Sequence, residues 1–294
     1  MCAVDFDTSM HTDQCASVMG KKVNKQLLDY FRALYVRNNP DNYPVTDTVK
    51  IPKIIHHIWL GQKLPEEYAS YRASWIKHHP SWTFIFWADS PVNFDQGTVV
   101  ISSFDALTAW LANAQEDRFC VVDVRNLMFE NRSFYDQAKN YGEKSDILKW
   151  EIVYRMGGVY VDTDFECLRP LDFFNGIYDF YTGIQPLDTN QVQLGAALYG
   201  AVPGHPILER CVQDIKHNQN IAQIIVKTGP LHFTRCFLFE ANKENNRDIA
   251  LPASYFYPCG YEQRGMSNAI WQMPESYAVH HWAGSWLKPE GFER

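Results

Sequence analysis

The stretch Lys144–Pro170, KSDILKWEIVYRMGGVYVDTDFECLRP, constrains this chain more than any other. Its first half has helical spacing, with Ile147, Trp150, Val153 and Tyr154 on one face. Ser145 suits a cap, Asp146 sits where a helix N-terminus favours an anion, and Glu151 and Arg155 are spaced to pair across one turn. Gly157 and Gly158 end the helix, because glycine accepts the left-handed conformation that stops one. Val159, Tyr160 and Val161 then open a strand of β-branched and aromatic residues. Asp162 and Asp164 follow where the apolar run ends, with Thr163 between them. Residues two apart on an extended chain point to one side, so both carboxylates face one spot. Held there, they repel unless a cation lies between them. The pattern is a metal-site signal.

The flanking sequence predicts an α/β fold. Residues 1–22 are polar and aperiodic and read as a loose leader; Val23–Tyr35 has helical spacing, and Pro40 and Pro44 break it. Lys53–Leu60 is an apolar strand, and Pro65 opens a helix that runs to about His79. A strand at Trp82–Trp87, a helix at Ser103–Asn113 and a strand at Phe119–Val124 follow. Such a succession makes a mostly parallel sheet covered by helices, with ligands at the carboxyl ends of its strands, where Trp59, Asp89 and Asp162 fall. Beyond the central stretch, Phe180–Ile184 and Leu194–Tyr199 read as strands, and Pro206–Val226 and Leu231–Asn242 as helices. Hydrophobic residues make up 46% of the 294, enough for a sizeable core and against disorder.

Charge and cysteine usage narrow the function classes. The net charge of −7 and the lack of a Lys/Arg block argue against nucleic acid or an anionic membrane as partner. No run approaches the roughly 18 apolar residues of a membrane span. The N-terminus has no basic and apolar signal pattern, so a cytoplasmic protein is expected, or else one delivered into a host cell as an effector. Seven cysteines without CxxC spacing read as thiols in a reducing compartment rather than as a zinc site.

The pattern SDxLKxxxxxxxGGxYxDTD in residues 145–164 resembles the signature of glycosyltransferases that carry a sugar-binding DXD motif. The nearest likeness is to the yeast-type initiating α-1,6-mannosyltransferases with their bacterial and viral relatives; the clostridial glucosylating toxins look like more distant kin. IPKIIHHIWL at 51–60, the Ser74–Trp87 block, Thr228-Gly229-Pro230, and Ala278–Trp282 through Ser285-Trp286 add further matches in order. The resemblance implies a GT-A-like single nucleotide-sugar-binding domain over 51–294, preceded by a leader and helical appendage over 1–50. It also implies a retaining hexosyl transfer from a nucleotide-sugar (a UDP-sugar or GDP-mannose) to a glycan, lipid or protein acceptor.

The resemblance assigns roles to residues. Asp164 is expected to ligate Mn²⁺ or Mg²⁺, and Asp162 to be shared between metal and ribose. His280, in a V-H-x-W context, is expected to complete the metal shell, with His281 the alternative, since alternation turns the two apart. Asp146 is expected to bind donor-sugar hydroxyls together with Lys149, where most relatives carry arginine. Trp59 is expected to stack on the base, and Ser285 and Trp286 to fold over the diphosphate, with Lys288 adding charge. His56, His57, Gly157, Gly158 and Tyr160 read as structural. Two rivals stand beside this reading: a non-catalytic carbohydrate- or nucleotide-sugar-binding protein, and a DxD-type phosphatase, which lacks here the later acidic pair that such enzymes need.

Overall fold

The computed structural model describes residues 4–11, 21–44, 46–61, 64–90, 98–113, 118–189, 191–264 and 273–285. The chain opens with α1 (Phe6–Met10) and α2 (Lys22–Asn38), then builds β1 (Ile54–Trp59), α3 (Glu67–His78), β2 (Thr83–Ala88), β3 (Val100–Ile101), α4 (Phe104–Asn113) and β4 (Phe119–Asp123). After α5 (Arg132–Gln137) come α6 (Tyr141–Met156), β5 (Gly158–Val161), β6 (Phe165–Cys167), α7 (Asp172–Ile177), β7 (Phe180–Ile184) and β8 (Leu194–Ala201). The remainder is α8 (Pro206–Asp214), α9 (Ile224–Lys227), α10 (Pro230–Glu240), β9 (Asp248–Leu251) and β10 (Ala278–His280).

Eight strands form one sheet in the order β3-β4-β2-β1-β5-β8-β7-β9. All neighbours pair in parallel except those of β8, which runs antiparallel to β5 and β7. The sheet is therefore mostly parallel with flanking helices, the α/β architecture expected. A single large hydrophobic core runs from Phe31 on α2 through β1 and α6 to Phe237 on α10.

Buried histidines on β1 are part of the framework. Trp87 Nε1 donates to His56 Nδ1, and the other ring nitrogen of His56 meets the Gly157 carbonyl at 2.9 Å. His57 Nδ1 meets the Val161 carbonyl at 2.8 Å, tying β1 to the end of β5. Burial pushes both imidazoles down to about 4, so they are neutral near pH 7.

Three expectations need correction. The leader is not uniformly loose: Asp5 caps α1 by accepting from Thr8 N, and Phe6 and Met10 are buried in the core. The central helix begins four residues before Ser145, because Asn140 caps it by accepting from Gly142 N and Glu143 N. The run Pro206–Val226 is not one helix: it breaks after Ile215–His217, where the Asn218 side chain donates to Lys227 O and faces His232.

α6 is covered on all sides over Asp146–Val153, not on one stripe. Its buried polar residues have partners, as where the Glu151 carboxylate accepts from Asn131 N. The helix stops at Gly157, whose φ of 64° and ψ of −165° lie in a region essentially reserved for glycine. A Cβ there would meet the Pro203 ring at 2.6 Å. Gly157→Ala is therefore expected to lower stability by about 3 kcal/mol from strain and collision together, read from urea unfolding midpoints. A loss below about 0.5 kcal/mol, the usual range for a surface change, would mean that this turn relaxes freely.

Candidate active site

The end of β5 positions the two acids. Asp162 N donates to Ala197 O on β8, and its carboxylate accepts from the Tyr160 hydroxyl at 2.5 Å. The chain then turns through Thr163 to Asp164 and enters β6, which pairs antiparallel with β10 so that Phe165 opposes His280. This pairing brings His280 to Asp164: Nε2 lies 3.2 Å from Asp164 Oδ1, and the ring stacks on Phe165 at 4.7 Å. Asp164 Oδ2 accepts from Ala283 N at 2.8 Å, and His281 N donates to the Asp164 carbonyl. Asp162, Asp164 and His280 thus each offer a ligand atom within 4.8 Å of the others. His281 points elsewhere, to Glu166 at 3.1 Å and to a stack on Tyr71 at 4.3 Å.

Two carboxylates and an imidazole are a donor set for Mn²⁺ or Mg²⁺, with the imidazole better suited to Mn²⁺. The residues present fit such an ion: His280 presents Nε2 to Asp164, and the two acids face each other across a charge clash. Burial raises the Asp162 carboxyl to about 6 against the pull of Lys149, and the charge on Asp164 adds to the rise. Burial also acts to raise Asp164, but His280 and the Ala283 amide outweigh it and hold that carboxyl below its ordinary value. A carboxyl whose folded value lies above its unfolded one holds its proton more tightly when folded. Its contribution to stability is present at low pH and is lost as pH rises through about 6. A cation must displace that proton, so Mn²⁺ affinity is expected to climb up to about tenfold per pH unit below 6 and to level off above it. Calorimetry at pH 5.5 and 7.5 in buffers of different ionisation heat checks this; equal affinity with no proton release at 5.5 would contradict it.

A cavity of about 540 Å³ opens on these residues. At one end stand Trp59, at the tip of β1, and Tyr68, whose ring meets the indole edge-on at 5.4 Å. Asp146 and Lys149 line its middle, joined by a 2.5 Å ion pair and almost wholly buried. Lys149 Nζ also lies over the Tyr160 and Trp150 rings, and Asp146 Oδ2 accepts from Thr228 Oγ1. Asp146 is the sixth residue of α6, so its anion is held by Lys149 and Thr228 rather than by a helix end. Ser285 lines the same cavity; Trp286, Lys288 and Gly291 lie outside the described residues.

Sequence reasoning missed several lining residues. Tyr160 reads from the sequence as structural, yet its hydroxyl donates to the Asp162 carboxylate; its spacing of two from Asp162 is the available signal. Thr228 belonged to a matched block without a role. Tyr68, Gln185, Gln193 and Tyr261 carried no local signal, because only the fold brings them to the cavity.

The family described as "Glycosyltransferase sugar-binding region containing DXD motif" matches residues 65–182. An uncharacterized glycosyltransferase of Acanthamoeba polyphaga mimivirus is 25% identical, over 80% of this chain and 84% of its own. Inositol phosphoceramide mannosyltransferase 2 of Schizosaccharomyces pombe is 24% identical over 70% of this chain, which spans about half of that relative's length (50%). Among solved structures, the PaToxG glycosyltransferase superposes with a TM-score of 0.49 at 18% identity, covering 74% of this chain and 78% of its own. The family match bears out the resemblance read from the sequence: residues 65–182 are similar to the sugar-binding region of the DXD-motif glycosyltransferases.

Proposed function

We propose that this protein is a metal-dependent, retaining glycosyltransferase that moves a hexose from a nucleotide-sugar to a hydroxyl of a glycan, lipid or protein. The observation that carries this reading is the convergence of Asp162, Asp164 and His280 at the edge of a cavity of ligand-binding size. These three would hold a divalent cation, Mn²⁺ or Mg²⁺, which would neutralise charge on the leaving diphosphate. The chain's own residues bind and orient. Trp59 stacks on the base, and Asp162 is shared between the cation and the ribose. Asp146 accepts hydrogen bonds from donor-sugar hydroxyls while Lys149 fixes its carboxylate and adds positive charge. Ser285 reaches the phosphate. In front-side displacement, the acceptor oxygen bonds to the anomeric carbon on the face from which the phosphate oxygen leaves. The acceptor's proton passes to that leaving oxygen, and the configuration is retained. Positioning and electrostatics supply most of the rate.

The catalytic unit in this reading is 51–294, and α1 and α2 pack against its core. The fission-yeast relative's name speaks of mannosyl transfer, which makes GDP-mannose the first donor to try, ahead of UDP-glucose, UDP-galactose and UDP-N-acetylglucosamine. The described cysteines are buried free thiols, which supports a reducing, cytosolic setting.

The test is release of nucleotide from each donor with Mn²⁺ and no added acceptor. Slow release that stops with chelator is expected from one donor. Binding without release would favour a nucleotide-sugar-binding protein, and neither binding nor release from any donor would overturn the reading.

A further inference from the structure

We propose that the carboxamides of Gln185 and Gln193 form a subsite that recognises a hydroxyl of a carbohydrate acceptor, at the end of the cavity remote from Trp59. The inference rests on the transferase reading above and adds to it the residues that choose the acceptor.

The two side chains sit where β7 ends and β8 begins. Gln185 N donates to Gln193 O, and Gln193 Nε2 donates to Gln185 Oε1 at 2.6 Å. Both line the cavity, and they are 6% and 8% exposed. Gln193 Oε1 is buried and has no hydrogen-bond partner. Exchanging the oxygen and nitrogen of the amide does not remove the problem, because one of its polar atoms still lacks a partner. Leaving a buried amide oxygen unpaired is costly, and such groups call for an explanation. Here the explanation is a ligand: the cavity that the amides line has apolar wall from Ile224 and Ile225, and Tyr261 adds an aromatic face. A hydroxyl is the group that both fits between hydrocarbon walls and satisfies an amide.

Strand order decides which hydroxyl. Across the sheet the sequence of strands is β1, β5, β8, β7. Trp59, on β1, lies one strand to one side of the acids that follow β5. Neighbouring strands are about 4.8 Å apart, so the end of β7 stands about 10 Å to the other side. The nucleotide occupies the β1 side. The transferred sugar fills the space between Asp146 and β8, where Ala196 and Ala197 leave room. The amide pair lies beyond that sugar, where the acceptor approaches. Sites that hydrogen-bond a substrate hydroxyl reject analogues lacking it strongly, because their polar groups are then left unpaired.

The experiment compares the wild type with the double variant Gln185→Met/Gln193→Met, which removes both amides at similar volume, after matching melting curves show that both are folded. Each is given the active donor, Mn²⁺ and a high concentration of methyl α-D-mannopyranoside or methyl α-D-glucopyranoside. Mass spectrometry counts glycosylated probe against free sugar released to water. The wild type is expected to glycosylate one probe, and the variant's ratio of probe product to water product to fall about 10²-fold. An unchanged ratio overturns the proposal, as does a wild type that hydrolyses donor but glycosylates neither probe. A fall in both products at constant ratio would place the amides on the donor sugar instead. If the wild type releases no nucleotide from any donor, the transferase reading itself has failed, and this one with it.

Discussion

Replacing Asp164 by alanine is expected to reduce nucleotide release by about 10³-fold or more, several kcal/mol of lost charge stabilisation. The size follows from how many things this one carboxylate does. It offers one of the three converging ligand atoms, faces His280 Nε2 at 3.2 Å, and accepts from the Ala283 amide. Alanine removes all three at once, so loss of activity alone would not separate a cation role from a loosened tail. Asparagine does separate them, since its oxygen still accepts from Ala283 N while the negative charge is gone. Asp164→Asn is expected to keep the melting temperature within a few degrees, yet to lose nearly as much activity as Asp164→Ala and to bind Mn²⁺ at least tenfold more weakly. Full activity in Asp164→Asn, with chelator present, would remove the metal from the reaction.

The Asp146–Lys149 pair gives the second large effect. Both groups are buried, so Asp146→Ala strands the Lys149 ammonium beside the Trp150 and Tyr160 rings, with Asp162 the remaining nearby acid. Breaking a buried pair from one side costs about 3–5 kcal/mol, whereas replacing both partners by apolar groups is often close to neutral. Asp146→Ala is therefore expected to lose both stability and at least about 10²-fold in turnover. Asp146→Leu/Lys149→Met should regain most of the stability and none of the turnover. A double variant that recovers activity along with stability would reduce the pair to scaffolding. One that stays as unstable as the single variant would show that the cost lies in Thr228, whose hydroxyl loses its acceptor.

The comparison between sequence and structure divides along the range of the forces involved. Local chemistry placed β1, β2, β4 and β5 within a residue or two, because each is a short apolar, β-rich run. It also placed the acids at the carboxyl edge of the sheet. Helix boundaries were harder: Ser145 looked like a cap, but Asn140 offers the same chemistry five residues earlier and a longer helix buries more surface. The all-round burial of α6 was invisible in its spacing, since an apolar stripe says which face is buried and nothing of what covers the other. The antiparallel entry of β8, which carries Ala196 and Ala197 to the acids and Gln193 to the far wall, depends on pairing across long stretches of chain. So does the choice between His280 and His281. Alternation could say that only one faces inward, and the register of β10 on β6 decides that it is His280.

That short ribbon has a consequence for how the protein comes into being. Asp164 and His280 are 116 positions apart, and among the described residues β10 has no pairing other than with β6. A ribosome has thus finished every strand of the main sheet before the third ligand emerges. In the proposed reading, a chain that stops before Ala278 would carry only two of the three groups that converge at the cavity.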